Sequence, residues 1–157
     1  MLKYGRNYSA PLFGQMGYHE GRNGSLMILI VDDHADARHA LVKLIKRVGH
    51  DAIGVADGPQ ALLFLQTALP KLILLDYDMP GMDGLEVLRQ IRSDGRTAGI
   101  PVVFFTAASS GLLRERAMEA GAQEYIRKGS MDWMQIVACI EKYVKAGGEQ
   151  SPAVTTT

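Results

Sequence analysis

KLILLDYDMPGMDG, residues 71–84, is the stretch on which the fold turns. Leu72 to Leu75 are aliphatic without a polar break. A strand with one wet face would alternate apolar and polar residues. An unbroken run this short reads instead as a strand buried on both faces, the habit of parallel sheets covered by helices. The run ends on a carboxylate, Asp76. After the proline and glycines of the DMPGMDG segment, Gly84–Ser93 carries Leu85, Leu88 and Ile91 at helical spacing.

The same alternation extends in both directions. Upstream, Leu26–Val31 is a second unbroken apolar run, and His34–Val48 follows with Leu41, Leu44, Ile45 and Val48 on one helical side, stopped by Gly49. Asp51–Ala56 is a weaker strand. Gly58–Leu69 reads as a helix with Asp57 as its cap, Pro59 in its first turn and Pro70 at its end. Downstream come a strand at Ile100–Thr106, a helix at Ser109–Ala120 and a strand at Ala122–Arg127. The last helix is Met131–Ala146, with Ser130 as its cap. Its apolar stripe contains Trp133, Ile136, Val137, Ile140 and Val144, and Trp133 is read as a core residue. Five strands alternating with five helices specify an α/β fold. The expectation is one doubly wound, five-stranded parallel sheet with helices on both faces: three layers, flavodoxin-like.

Composition bounds the function. The chain has 157 residues and 47% hydrophobic content, enough for one domain with a real core. Its 17 basic and 17 acidic residues cancel, so charge makes no case for nucleic acid or a membrane surface. One cysteine, Cys139, excludes an intrachain disulfide and suits a reducing cytoplasm. No apolar run approaches the ~20 residues of a membrane span. Residues 1–25 are glycine-rich and without period, so they are expected to be a flexible extension, with Met27 a candidate start. Residues 26–146 are the expected domain, and residues 147–157 a flexible tail.

Functional groups in such sheets gather at the carboxyl ends of strands. The first strand ends in Asp32 and Asp33, the third in Asp76 and the fourth in Thr106, and Lys128 follows the fifth at once. Each has an ordinary explanation alone: a cap, a solvated turn, β propensity, a surface charge. Together they put three carboxylates, a hydroxyl and an ammonium at one edge of the sheet. Clustered carboxylates call for a hard divalent cation. Lysine and threonine can meet phosphoryl oxygens, and one carboxylate can act as nucleophile.

The motifs ILIVDDH, LLDYDMPGMDGLEVL, PVVFFTA and AQEYIRK resemble the receiver domain of bacterial two-component response regulators, across residues 26–146. The resemblance implies that Asp76 is the phosphoacceptor. It also implies that Asp33 and Asp32 hold Mg²⁺, or Mn²⁺ in its place, with the Asp78 backbone carbonyl completing the site. Thr106 matches the switch hydroxyl, Lys128 the partner of the phosphoryl oxygens, and Tyr125 the aromatic that moves with Thr106. The implied donor is a phosphohistidine on a sensor kinase or phosphotransfer protein. The implied output is a protein partner on the face of the fourth helix, fifth strand and fifth helix. With no room after residue 146 for a helix-turn-helix, a stand-alone receiver without nucleic-acid or membrane binding is expected.

One departure stands out. Receivers usually place proline after the lysine, and here Gly129 follows. The Lys128–Gly129 bond is therefore either trans with a rearranged loop or a strained cis bond. The basic residues Arg38, His39, Lys43, Lys46 and Arg47 of the first helix read equally as a solvated or a kinase-docking face. His34 and His39 read as ordinary surface residues. Two other functions fit parts of the pattern. A receiver fold used only for docking would ignore the acidic site. A haloacid-dehalogenase-like phosphatase would use Asp76-Tyr77-Asp78 as its nucleophile motif, but that family places it after the first strand.

Overall fold

The computed structural model describes residues 27–146; the stretches assigned to an extension and a tail lie outside the described residues. Strands β1 (Met27–Val31), β2 (Asp51–Val55), β3 (Leu72–Leu75), β4 (Val102–Thr106) and β5 (Glu124–Arg127) alternate with helices. These are α1 (Ala35–Arg47), α2 (Gly58–Thr67), α3 (Gly84–Ser93), α4 (Gly111–Glu119) and α5 (Trp133–Ala146). All strand pairs are parallel, in the order β2-β1-β3-β4-β5. The order reverses between β1 and β3, which opens a crevice at their carboxyl ends.

The aliphatic strands divide their side chains between two cores. In β1, Ile28 and Ile30 pack with Leu41 and Ile45 of α1 and Ile140 and Val144 of α5. Leu29 and Val31 face the opposite layer, with Phe64 of α2, Leu88 of α3 and Ala117 of α4. Each large aliphatic side chain fully removed from water contributes about 1.5–3 kcal/mol. This two-sided burial is why β1 and β3 show no alternation in sequence.

Caps set the helix boundaries. Asp57 accepts from Gln60 N and Asp83 from Glu86 N, closing the starts of α2 and α3. At α5 the structure corrects the sequence reading. Asp132, not Ser130, is the cap: Gln135 N donates to Asp132 Oδ1 while Asp132 N donates to Gln135 Oε1. The Ser130 hydroxyl is spent on the Arg127 carbonyl, in a turn where Gly129 takes φ of 83°. The Lys128–Gly129 bond is trans. Trp133 is also corrected: it is 61% exposed and outside the core. It opens α5, and side chains on a helix lean toward its N-terminus, so the indole projects past the last turn that covers the sheet.

α4 is the least embedded helix. Ala117 is its one buried residue, Leu112 and Met118 are exposed, and its N-cap Ser110 makes no side-chain capping bond. No described helix is long and apolar enough to cross a membrane.

Candidate functional site

The pairing of β3 with its neighbours aims Asp76 into the crevice. Asp76 N donates to the Val31 carbonyl at 2.8 Å, extending the β1–β3 ladder by one bond. Gly84 N donates to the Tyr77 carbonyl at 2.8 Å, so the chain folds back at once over Asp76. A Cβ at Gly84 would overlap the Asp76 carbonyl oxygen, which explains glycine at the end of the DMPGMDG segment.

Asp32, Asp76 and Thr106 are buried, and Asp33 is half-buried. Lys128 N donates to the Thr106 carbonyl at 2.7 Å, carrying the β4–β5 pairing to the lysine. Lys128 Nζ then lies 2.6 Å from Asp32 Oδ2 and 3.8 Å from Asp76 Oδ2. One ammonium serves two buried carboxylates, which leaves excess negative charge in a poorly solvated place. Burial pushes the Asp76 carboxyl above its usual range; the Thr106 hydroxyl and Lys128 pull against that shift, and Asp32 adds to it.

Oxygens of Asp32, Asp33 and Asp76, with one ring nitrogen of His34, lie within 4.8 Å of one another. This donor set, with its surplus of charge, fits a divalent cation. Asp78 is exposed two residues beyond Asp76, and its carboxylate is outside that group. Tyr125 is half-buried, its ring 5.8 Å from that of Phe104 and its hydroxyl donating to the Ala108 carbonyl at 3.0 Å.

Three features escaped the sequence reading. His34 is exposed, as expected, yet its Nδ1 sits 3.1 Å from Asp33 Oδ1. Its adjacency to Asp32-Asp33 was the available signal. Arg38 is not part of a free basic face: its Nη1 donates to the Asp32 carbonyl at 2.7 Å. Its stem crosses Gly54, where a Cβ would lie 2.6 Å from Arg38 Cγ. Ala108 joins the two switch candidates, its N–H donating to Thr106 Oγ1 at 3.3 Å while its carbonyl accepts from Tyr125.

Comparison with known proteins agrees with this geometry. Residues 28–141 match the family model of the response regulator receiver domain. The DNA-binding response regulator MtrA of Mycolicibacterium paratuberculosis is 38% identical over 101 residues, covering 64% of this chain and 44% of MtrA. The chain thus spans less than half of that relative, and the match bears on the receiver portion. Among solved structures, the receiver domain of a histidine kinase from Syntrophus aciditrophicus superposes with a TM-score of 0.73 at 26% identity. That match covers 85% of this chain and 99% of the other. The Mn²⁺-bound form of response regulator Rcp1 gives 0.67 at 29% identity, covering 75% and 93%. Asp76 ends β3 and not β1, which sets aside the phosphatase alternative. With the fold, the strand-end residues and the family model in agreement over residues 28–141, the chain belongs to the response regulator receiver family.

Proposed function

We propose that this chain accepts a phosphoryl group on Asp76 from a phosphohistidine of a partner kinase or phosphotransfer protein, and signals through a protein partner. Receiver domains are phosphorylated by histidine kinases and bind Mg²⁺ or Mn²⁺ at an acidic pocket. The observation that carries the reading is the buried Asp76 carboxylate with Lys128 Nζ at 3.8 Å and the Thr106 hydroxyl beside it. An Asp76 oxygen forms the new P–O bond while the P–N bond to the donor imidazole breaks. Lys128 offers its charge to the phosphoryl oxygens, and Thr106 can donate a hydrogen bond to them. Asp32, Asp33 and Asp76, with the Asp78 carbonyl, would hold the cation, which when bound offsets negative charge on the transferring group. The reaction is a single modification and not turnover, as befits a cytoplasmic signalling protein.

The output follows from the Ala108 peptide. A phosphoryl group adds about −1.5 to −2 charge at Asp76 and moves the acceptor of the Thr106 hydroxyl from the carboxylate outward to the phosphoryl oxygens. Turning that hydroxyl breaks its bond from Ala108 N, and Ala108 also holds the Tyr125 hydroxyl. The two changes are coupled through one residue at the start of the segment leading to α4, the least embedded helix. A groove lined by Ser109, Arg114, Tyr125, Arg127, Ser130 and Met131 lies on this face and supports partner binding there. Such a change shifts an existing equilibrium between two arrangements.

The test is intact mass after incubation with Mg²⁺ and acetyl phosphate. One added phosphoryl group is expected, absent in Asp76→Asn. No adduct from this donor or from a phosphorylated histidine kinase would defeat the mechanism and favour a docking module that works without phosphorylation.

A further inference from the structure

We propose that His34 supplies an imidazole ligand to the divalent cation of this site, so that the site prefers Mn²⁺ or another first-row transition ion to Mg²⁺. The inference deepens the phosphoacceptor reading and rests on its cation.

His34 occupies the N-cap of α1, yet its ring makes no capping bond. Its backbone N–H donates to Asp32 Oδ1 at 2.9 Å, which seats the residue against that carboxylate. Its Nδ1 points the same way, 3.1 Å from Asp33 Oδ1 and 3.6 Å from Asp32 Oδ1. The four potential donors of Asp32, Asp33, His34 and Asp76 fall within 4.8 Å of one another. Around an octahedral ion with bonds of about 2.1 Å, neighbouring donors stand about 3 Å apart and opposite ones about 4.2 Å. The His34 ring nitrogen stands 3.1 Å and 3.6 Å from two carboxylate oxygens, near the spacing of neighbouring donors, and all four atoms lie within 4.8 Å of one another. The His34 side chain is 73% exposed, so most of the ring borders solvent.

The chemistry of the donor decides selectivity. Mg²⁺ takes oxygen ligands and gives up its waters reluctantly. Imidazole suits later first-row ions, whose affinities rise along the series from Mn²⁺ to Cu²⁺. Three carboxylates alone would serve Mg²⁺ well, and adding His34 moves the balance toward nitrogen-accepting metals. The competing account is that the ring only hydrogen-bonds to its acidic neighbours and never reaches the metal.

Pulsed electron paramagnetic resonance on the full chain loaded with Mn²⁺ separates the two. Coordinated imidazole imprints ¹⁴N modulation on the Mn²⁺ signal. The expected result is modulation in the wild type and in His39→Ala and His19→Ala, lost in His34→Ala and His34→Asn. Calorimetric titration should show Mn²⁺ affinity falling at least about tenfold in His34→Ala, with Mg²⁺ affinity changed less than about twofold. Mn²⁺ bound without nitrogen modulation overturns the proposal while leaving the phosphoacceptor reading intact. Equal losses for both metals overturn it as well. Modulation that persists in His34→Ala places the nitrogen ligand elsewhere and defeats it. Failure of the wild type to bind either metal overturns this proposal and the metal reading together.

Discussion

Gly84→Ala adds one methyl group against the Asp76 and Tyr77 backbone and the Phe104 ring. The new Cβ would overlap the Asp76 carbonyl oxygen, lie 2.8 Å from Phe104 Cε1 and lie 3.0 Å from Tyr77 Cα. Comfortable separations for such pairs are about 3.5 Å or more, so the start of α3 must move by something near an ångström. Neither neighbour can yield cheaply. The Asp76 carbonyl belongs to a segment held in the sheet, and Phe104 is fully buried between Tyr77 and Tyr125. Overpacking costs about 1–3 kcal/mol per site, and two rigid neighbours argue for about 4 kcal/mol. Weakening the Gly84 N to Tyr77 carbonyl bond costs about 1 kcal/mol more, while the better helix propensity of alanine returns about 1 kcal/mol. A net loss of about 4 kcal/mol is a large part of a domain's ~5–15 kcal/mol. With a urea slope of about 2 kcal/mol/M, the unfolding midpoint falls by about 2 M. At urea concentrations where the variant is still folded, phosphoryl uptake from acetyl phosphate should also drop, because the strain is relieved by shifting Asp76. A loss under about 1 kcal/mol with normal uptake would refute the packing argument.

Three further outcomes are expected. Burial holds the folded Asp76 carboxyl above its usual range, so the folded state keeps its proton to higher pH than the unfolded chain. Its contribution is intact below the unfolded value and is lost as pH rises through the folded one. Asp76→Asn, free of that ionisation, should therefore be more stable than wild type at pH 7 in chelator, with the gap closing toward acid; lower stability at pH 7 in urea titrations would contradict this. Trp133→Ala should cost about 0.5 kcal/mol or less, against about 2–5 kcal/mol for Ile140→Ala. The sole tryptophan should also emit like a solvated indole and be readily quenched by acrylamide; a blue-shifted, protected emission would put Trp133 back in the core. Cys139 is half-buried and its thiol donates to Glu124, and burial together with that carboxylate pushes its pKa up to about 12. It should stay unreactive toward Ellman's reagent at pH 8 until the protein unfolds, and rapid labelling of the native chain would show otherwise.

Much of the architecture was legible because burial leaves a local trace. Strands covered on both faces, such as Leu72–Leu75, must be apolar throughout, and helices over a sheet must repeat apolar residues every three or four positions. Asp57, between a strand and a proline-led helix, could be read as a cap for the same local reason. Asp32, Asp33, Asp76, Thr106 and Lys128 could be gathered on paper because parallel topology puts every strand end at one edge of the sheet.

Tertiary structure alone decided the rest. Trp133 obeys the helical stripe, but whether a stripe position is covered depends on where the sheet ends, and no local pattern encodes that. Asp132 displaced Ser130 as cap because the Gly129 turn engages the serine hydroxyl with Arg127. Arg38 turns to the Asp32 carbonyl and is half-buried because Gly54, on a different element, makes room for its stem. The placement of the His34 ring against two carboxylates and the Ala108 link between Thr106 and Tyr125 are likewise contacts between side chain and backbone at ångström scale. The sequence by itself determined which residues meet at the sheet edge, since hydrophobic periodicity and topology act over whole elements. Only the folded chain determined which of them share an ion pair or a hydrogen bond, since those depend on distances that periodicity does not specify.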